Sequence, residues 1–169
     1  MQVINIHKRK LQESVEKVAL LFDTLGTDED QIWPVANWPA MRFRKGVQVG
    51  SKGGHGFIRY TIIALTVGER ITFQFTKPDN FIGTHSFFIK AISENETEIT
   101  HEIKMRTASL KASVLWLFVI RWLHDALLEE AFDNLENRFM EVKKIPKYSF
   151  WVHFLRNTFK RKPVQTKQN

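Results

Sequence analysis

The chain has 169 residues, no cysteine, and 25 basic against 18 acidic side chains, a net charge of +7. That length suits one domain with an extension, able to bury a core without staples. The missing cysteines exclude disulfides, a thiolate nucleophile and Cys-ligated zinc, and fit a reducing cytosol. The charge is uneven. Eight of the basic residues lie in residues 143–169, which hold no Asp or Glu, leaving 17 basic and 18 acidic side chains in residues 1–142. The body thus has no basic bias, which argues against a nucleic-acid partner. The start, MQVINIHKRKLQES, lacks the apolar stretch of a signal peptide. The most apolar run, Val114–Leu123, is broken by Arg121 and falls short of the ~20 residues of a spanning helix. The expected location is cytoplasmic, with peripheral membrane contact as the variant that the tail allows.

The predicted elements begin with a strand over Val3–Leu11. Ser14 then caps a helix with apolar positions Val15, Val18, Ala19, Phe22 and Leu25, ended by Gly26. Thr27, with Asp28, Glu29 and Asp30 in the following turn, predicts a second short helix that stops before Pro34. Strands follow over Met41–Val49, Phe57–Val67, Arg70–Thr76, Phe81–Ser93 and Glu96–Thr107, rich in β-branched and aromatic residues. Gly50–Gly56 reads as a loop with His55 and Lys52 in solvent. It lacks phosphate-loop spacing and leads into a strand rather than a helix. Ser109–Val142, free of Gly and Pro, predicts one long helix of about 50 Å. Pro146 separates it from an aromatic, basic segment ending at Pro163.

This order of strand, helix pair Ser14–Trp33, strand run Met41–Thr107 and helix Ser109–Val142 resembles the START-like, helix-grip (SRPBCC, polyketide cyclase/dehydrase) superfamily. The resemblance covers residues 1–142 and leaves 143–169 as a tail. It implies an α+β fold: a curved antiparallel sheet of six or seven strands wrapped on the last long helix, with a ligand cavity between. Six strands are visible, and the Gly46 break can hide a seventh.

Strand alternation gives the expected cavity wall. Ile71, Phe73 and Phe75 face in from one strand. His85, Phe87, Ile89 and Ala91 do so from the next, and Ile99, His101, Ile103 and Met105 from the last. On the helix, Leu117, Ile120, His124, Leu128 and Phe132 share a face, while Glu129, Glu130 and Asp133 belong to a solvated one. Arg121, inside the most apolar stretch, must snorkel, face a ligand or pair with a carboxylate, for which Asp125 at i+4 is the plain choice.

Three inward histidines, His85, His101 and His124, are the candidate acid–base or ligand-orienting groups. None lies within i+4 of another, and His85 and His101 are expected about 13 Å apart along neighbouring strands. That spacing argues against a metal site; no cofactor is expected. No nucleophile elbow and no spaced carboxylate pair is present.

The leading expectation is therefore a protein that binds a small apolar or amphipathic molecule. The alternatives are an enzyme of the cyclase, dehydratase or hydrolase kind, and a docking protein acting through its tail. In that tail Tyr148, Trp151, Val152, Leu155 and Phe159 recur at helical spacing, with Lys160 and Arg161 at the C-terminal side. Such a helix suits an anionic membrane surface. It equally suits packing over Val114–Leu123, which is apolar all round and needs a second cover.

Overall fold

The computed structural model describes residues 1–159. Seven strands form one antiparallel sheet: β1 (Gln2–Leu11), β2 (Arg42–Phe43), β3 (Lys52–His55), β4 (Ile58–Thr66), β5 (Arg70–Lys77), β6 (Phe81–Ser93) and β7 (Glu96–Thr107). Their spatial order is β1-β7-β6-β5-β4-β3-β2. The seventh strand is not at the Gly46 break. It is β3, inside the glycine-rich segment expected to be a loop, where Gly53 opposes Tyr60 and Gly54 opposes Arg59. Its glycines allow close approach: a Cβ on Gly53 would lie 2.2 Å from the Arg42 carbonyl oxygen.

The helix α1 (Val15–Phe22) follows β1 and buries Val18 and Phe22. The second short helix expected from Thr27 does not form; residues 27–33 are turns. The Asp30 carboxylate explains this. One oxygen accepts from the backbone N–H of Ile32 (2.9 Å) and of Trp33 (2.8 Å), and the other from Gly26 (2.7 Å). A short acidic side chain that binds local N–H groups competes with the helix ladder.

The long helix runs over residues 110–136 in three parts: α2 (Leu110–Leu115), a π turn (Trp116–Ile120) and α3 (Arg121–Glu136). Ser109 caps its start by accepting from the Ala112 N–H at 3.2 Å. It ends at Glu136, not Val142. The Asn137 side chain bonds both the N–H (2.7 Å) and the carbonyl (3.0 Å) of Lys144, so the chain folds back there. The Lys143 ammonium also donates to the carbonyls of Asn137 and Met140. A last helix, α4 (Phe150–Phe159), buries Val152 and Leu155 against α3 and neighbouring loops. Lys160 and Arg161 lie outside the described residues.

The strand β1 runs beside the long helix. Its apolar Ile4 and Ile6 point outward and are exposed, while Asn5, His7 and Arg9 face the long helix. That helix presents Asp125, Glu129, Asp133 and Glu136 at i, i+4, i+8 and i+11. Arg9 pairs with Asp133 (2.7 Å), Glu136 (2.6 Å) and Glu129 (2.9 Å), so the contact is an ionic seam rather than an apolar one. Burial works against the Arg9 charge, but the Asp133 and Glu136 bonds outweigh it and raise its pKa.

Candidate ligand cavity

A cavity of about 1140 Å³ lies between the sheet and the long helix. Among the expected wall residues, Phe75, His85, Phe87, His101, Ile103, His124 and Leu128 line it. Ile71, Phe73, Ile89, Met105 and Phe132 do not reach it, although each is buried in the core. Phe73 is screened by Phe43 from the short strand β2, stacked on it at 5.8 Å with an interplanar angle of 5°. Ala91 is exposed near the end of its strand.

Leu117 is 39% exposed, while its neighbour Trp116 is buried and lines the cavity. The π turn accounts for this. A wider turn takes more residues per revolution, so the residue four before Ile120 stays aligned with it and the residue three before rotates away. Two indole N–H groups serve carbonyls of this turn: Trp122 donates to Leu117 (3.1 Å), and Trp151 of α4 donates to Phe118 (3.1 Å). Both halves of the long helix therefore face the cavity, through Trp116, Ile120 and Leu123 as well as His124 and Leu127.

The histidines converge more closely than expected. A one-residue irregularity between Ala91 and Ser93 resets the β6–β7 register, so that Phe87 opposes His101 and His85 opposes Ile103. His85 and His101 become diagonal neighbours on one face, with Nδ1 of the first 3.2 Å from Nε2 of the second. The expected separation of about 13 Å is corrected: the two histidines are two residues out of step, roughly 7 Å along the strands, and their rings lean together across that distance. His101 also opposes His7 across the β1–β7 ladder. Its ring lies 4.9 Å from that of His124. The file continues to Asp125, whose Oδ1 is 3.0 Å from His7 Nε2 and 3.5 Å from His124 Nδ1. His7 Nδ1 reaches Glu129 at 2.9 Å. Arg121 pairs with Asp125 as expected, at 3.7 Å.

Burial sets the protonation of this file. It pushes His85 and His101 well below their ordinary value, with the charges of neighbouring histidines adding to the effect. His124 is lowered by burial despite the Asp125 carboxylate beside it. At His7 burial opposes the charge, but the bonds and charges of Asp125 and Glu129 outweigh it and raise its pKa. At Asp125 burial favours the neutral form, yet His124 and His7 prevail and hold it well below the usual carboxylate range. Proton uptake is thus favoured at His7, beside the two carboxylates, and disfavoured at the three inner histidines. His7, His124 and Asp125 bring three potential metal-ligating atoms within 4.8 Å of one another; the carboxylate bonds His7, while His124 Nδ1, 3.5 Å away, has no hydrogen-bond partner.

Two residues were missed in the sequence: His55, which lines the cavity, and Glu130, which is buried behind it. His55, expected in solvent, lies on β3 with its ring 4.8 Å from Trp33 and its Nδ1 3.1 Å from the Tyr60 hydroxyl. Burial lowers its pKa to about 3, helped by the charges of His124 and Arg59. Glu130, expected on a solvated face, is buried. It accepts from the Trp38 indole (2.6 Å), the Asn37 amide (2.6 Å) and the Tyr148 hydroxyl. That carboxylate joins the α4 segment to the body, and Arg156 covers the joint, its guanidinium 4.2 Å from the Tyr148 ring and 4.8 Å from that of Trp38. Arg156 and Phe159 then form part of the cavity wall. Phe150, Phe154 and Phe159 remain exposed.

A seven-stranded antiparallel sheet against one long helix is the START-like, helix-grip fold. Solved structures share this fold. Truncated norcoclaurine synthase from Thalictrum flavum superposes with a TM-score of 0.65 at 9% identity, over 85% of this chain and 96% of that one. A START superfamily protein from Mycobacterium smegmatis gives 0.51 at 10% identity, over 82% and 97%. A protein from Nitrosospira multiformis gives 0.61 at 14% identity, over 82% and 97%. No protein-family model matches the sequence, and no curated protein matches it. No helix among the described residues is long and apolar enough to cross a membrane.

Proposed function

We propose that this protein binds a small apolar or amphipathic molecule between its sheet and its long helix. The observation that carries the reading is the cavity itself, about 1140 Å³ in volume and walled by aromatic, aliphatic and imidazole groups. A site for a drug-sized ligand needs roughly 300–1,000 Å³, mostly apolar, with a few polar groups for orientation. His85 Nε2 and His101 Nδ1 are buried without a protein partner and would supply those polar contacts. The fold it shares with norcoclaurine synthase, a protein captured with dopamine and hydroxybenzaldehyde, supports the reading at the level of architecture.

Titration with a neutral fluorescent probe, N-phenyl-1-naphthylamine, tests it alongside native mass spectrometry of gently purified protein. Saturable binding at one site, abolished by Leu123→Trp, is expected. Uniformly ligand-free protein that takes up no probe would overturn the reading.

A second reading, acid–base catalysis on the bound molecule, is favoured by the His85–His101 contact of 3.2 Å within the cavity. Any molecule recovered from the protein is to be incubated with it and its mass followed. A changed product that His101→Asn no longer forms supports catalysis, and an unchanged molecule ends the reading.

A further inference from the structure

One corner of the histidine file brings together donors from opposite ends of the chain. His7 comes from β1, while His124 and Asp125 are adjacent on the long helix, with 118 residues between His7 and Asp125. Asp125 Oδ1 lies 3.0 Å from His7 Nε2 and 3.5 Å from His124 Nδ1, and all three atoms fall within 4.8 Å of one another. An ion with tetrahedral ligand bonds of about 2.0–2.2 Å sets its ligand atoms about 3.4 Å apart. The two short spacings bracket that value. The third pair, His7 with His124, has to close by about 1.4 Å at most.

The corner also lacks the partners of a settled ion pair. Of the four buried side-chain atoms without a hydrogen-bond partner among the described residues, two belong here, His124 Nδ1 and Asn5 Oδ1. A buried ring nitrogen left unserved carries a desolvation cost that a bound ion removes. Asn5 Nδ2 donates to the same Asp125 Oδ1 at 3.0 Å and so orients that oxygen. His7 sets each ring nitrogen against a carboxylate, Nδ1 2.9 Å from Glu129 Oε1 and Nε2 3.0 Å from Asp125 Oδ1. Both contacts are hydrogen bonds only when the ring carries two protons. A cation in place of the Nε2 proton keeps the other bond, because Nδ1–H still donates to Glu129. That is the carboxylate–histidine–metal arrangement, in which a further carboxylate fixes the tautomer and direction of a ligating imidazole. The approach is from solvent, since the Asp125 side chain is 32% exposed and that of Glu129 54%. The cations nearby leave room for another. Arg9 is held by Glu129, Asp133 and Glu136, and Arg121 meets Asp125 Oδ2 only at 3.7 Å from an exposed position.

We propose that His7 Nε2, His124 Nδ1 and Asp125 Oδ1 bind a divalent transition-metal ion, with Glu129 and Asn5 positioning two of the three ligands. Two imidazoles and one carboxylate suit an ion such as Zn²⁺, whereas Mg²⁺ and Ca²⁺ prefer oxygen ligands throughout. Three protein ligands leave one coordination position open. His124 also lines the cavity, so the ion stands in the wall between cavity and solvent. The site does not depend on what the cavity holds.

The test uses the full chain, stripped of metal by a chelator and titrated calorimetrically with Zn²⁺ and, separately, with Mg²⁺. One equivalent of Zn²⁺ is expected to bind, and Mg²⁺ at least about a hundredfold more weakly. Nitrogen NMR of the six histidine rings is expected to show metal-bound nitrogens at His7 and His124 and at none of the other four. H124N should weaken Zn²⁺ binding at least about a hundredfold, and E129Q, which removes no ligand, about tenfold to a hundredfold. H153N, at an exposed position of α4, should leave it unchanged. E129Q alters a half-exposed side chain, so it reads the site even where H124N fails to fold. No saturation below about 0.1 mM Zn²⁺ overturns the proposal. Binding of one equivalent that survives both H124N and E129Q also overturns it. Metal-bound nitrogens at His85 and His101 overturn it as well, since they put the ion inside the cavity.

Discussion

Imidazoles dominate this molecule at the residue scale. Five of its six histidines, His7, His55, His85, His101 and His124, gather around or behind one cavity. Four of these, all but His7, have depressed pKa values in the fold. An unfolded chain protonates them near their ordinary value of 6.5, whereas the native state resists. The stability they contribute is therefore complete above that pH and is lost as pH falls below it, each group contributing up to about 1.4 kcal/mol per pH unit. His7 acts in the opposite sense: its raised pKa stabilises at low pH, and that contribution fades as pH rises through the folded value. The four outweigh the one. Urea unfolding is expected to show a loss of a few kcal/mol, about 3, between about pH 7 and 5.5, above the carboxylate range. His85→Asn should flatten that dependence, and a pH-independent midpoint would contradict it. Glu130 is the second prediction at this scale. Glu130→Ala leaves the Trp38 indole and the Asn37 amide without their acceptor and should cost about 2 kcal/mol or more, seen as a lowered urea midpoint and a shifted Trp38 emission.

Two one-residue departures from regularity decide the site at the element scale. The irregularity near the end of β6 changes the parity of its pairing with β7 and brings His85 and His101 to the same face. The π turn chooses Trp116 over Leu117 for the cavity. The two substitutions should therefore differ. Trp116→Ala is expected to cost about 3 kcal/mol, the low end for a buried aromatic because one side already faces a cavity. Leu117→Ala, at a largely exposed position, should cost under about 1 kcal/mol. Similar losses, measured by thermal unfolding, would argue against the π turn. Alternation along Phe81–Ser93 and Glu96–Thr107 was readable because one face of each strand is buried. Neither irregularity was, since each arises from fitting one element to its neighbours and leaves no composition signal. A signal was available on β1: acids spaced by about one turn on the helix, and His7 and Arg9 alternating on a strand, together describe an ionic seam.

The extension beyond the long helix closes the whole molecule. Tyr148 and Arg156 fasten it to Glu130, Asn37 and Trp38, and Phe159 reaches the cavity wall. Removal of residues 146–169 should lower the melting temperature and weaken binding of the neutral probe several-fold. Unchanged probe affinity would mean that α4 is only an outer cover. Phe118 and Trp122 of the long helix stay exposed even with α4 docked, because α4 covers only part of that apolar half-turn.

The sequence by itself determined the fold class, the order of β1, α1, β4 to β7 and the long helix, and the inward histidines of β6 and β7. These follow from periodicity and from turn and cap residues, which act over a few positions along the chain. Only the tertiary structure decided which inward residues meet an open space and which are simply core. Phe73 and Phe75 occupy the same face of β5, yet β2, from another part of the chain, covers one and leaves the other at the cavity. The same holds for Glu130, whose place on a charged helix face gave no hint of burial. Its partners Asn37, Trp38 and Tyr148 come from segments far apart in sequence, and burying a carboxylate becomes tolerable only where such donors converge.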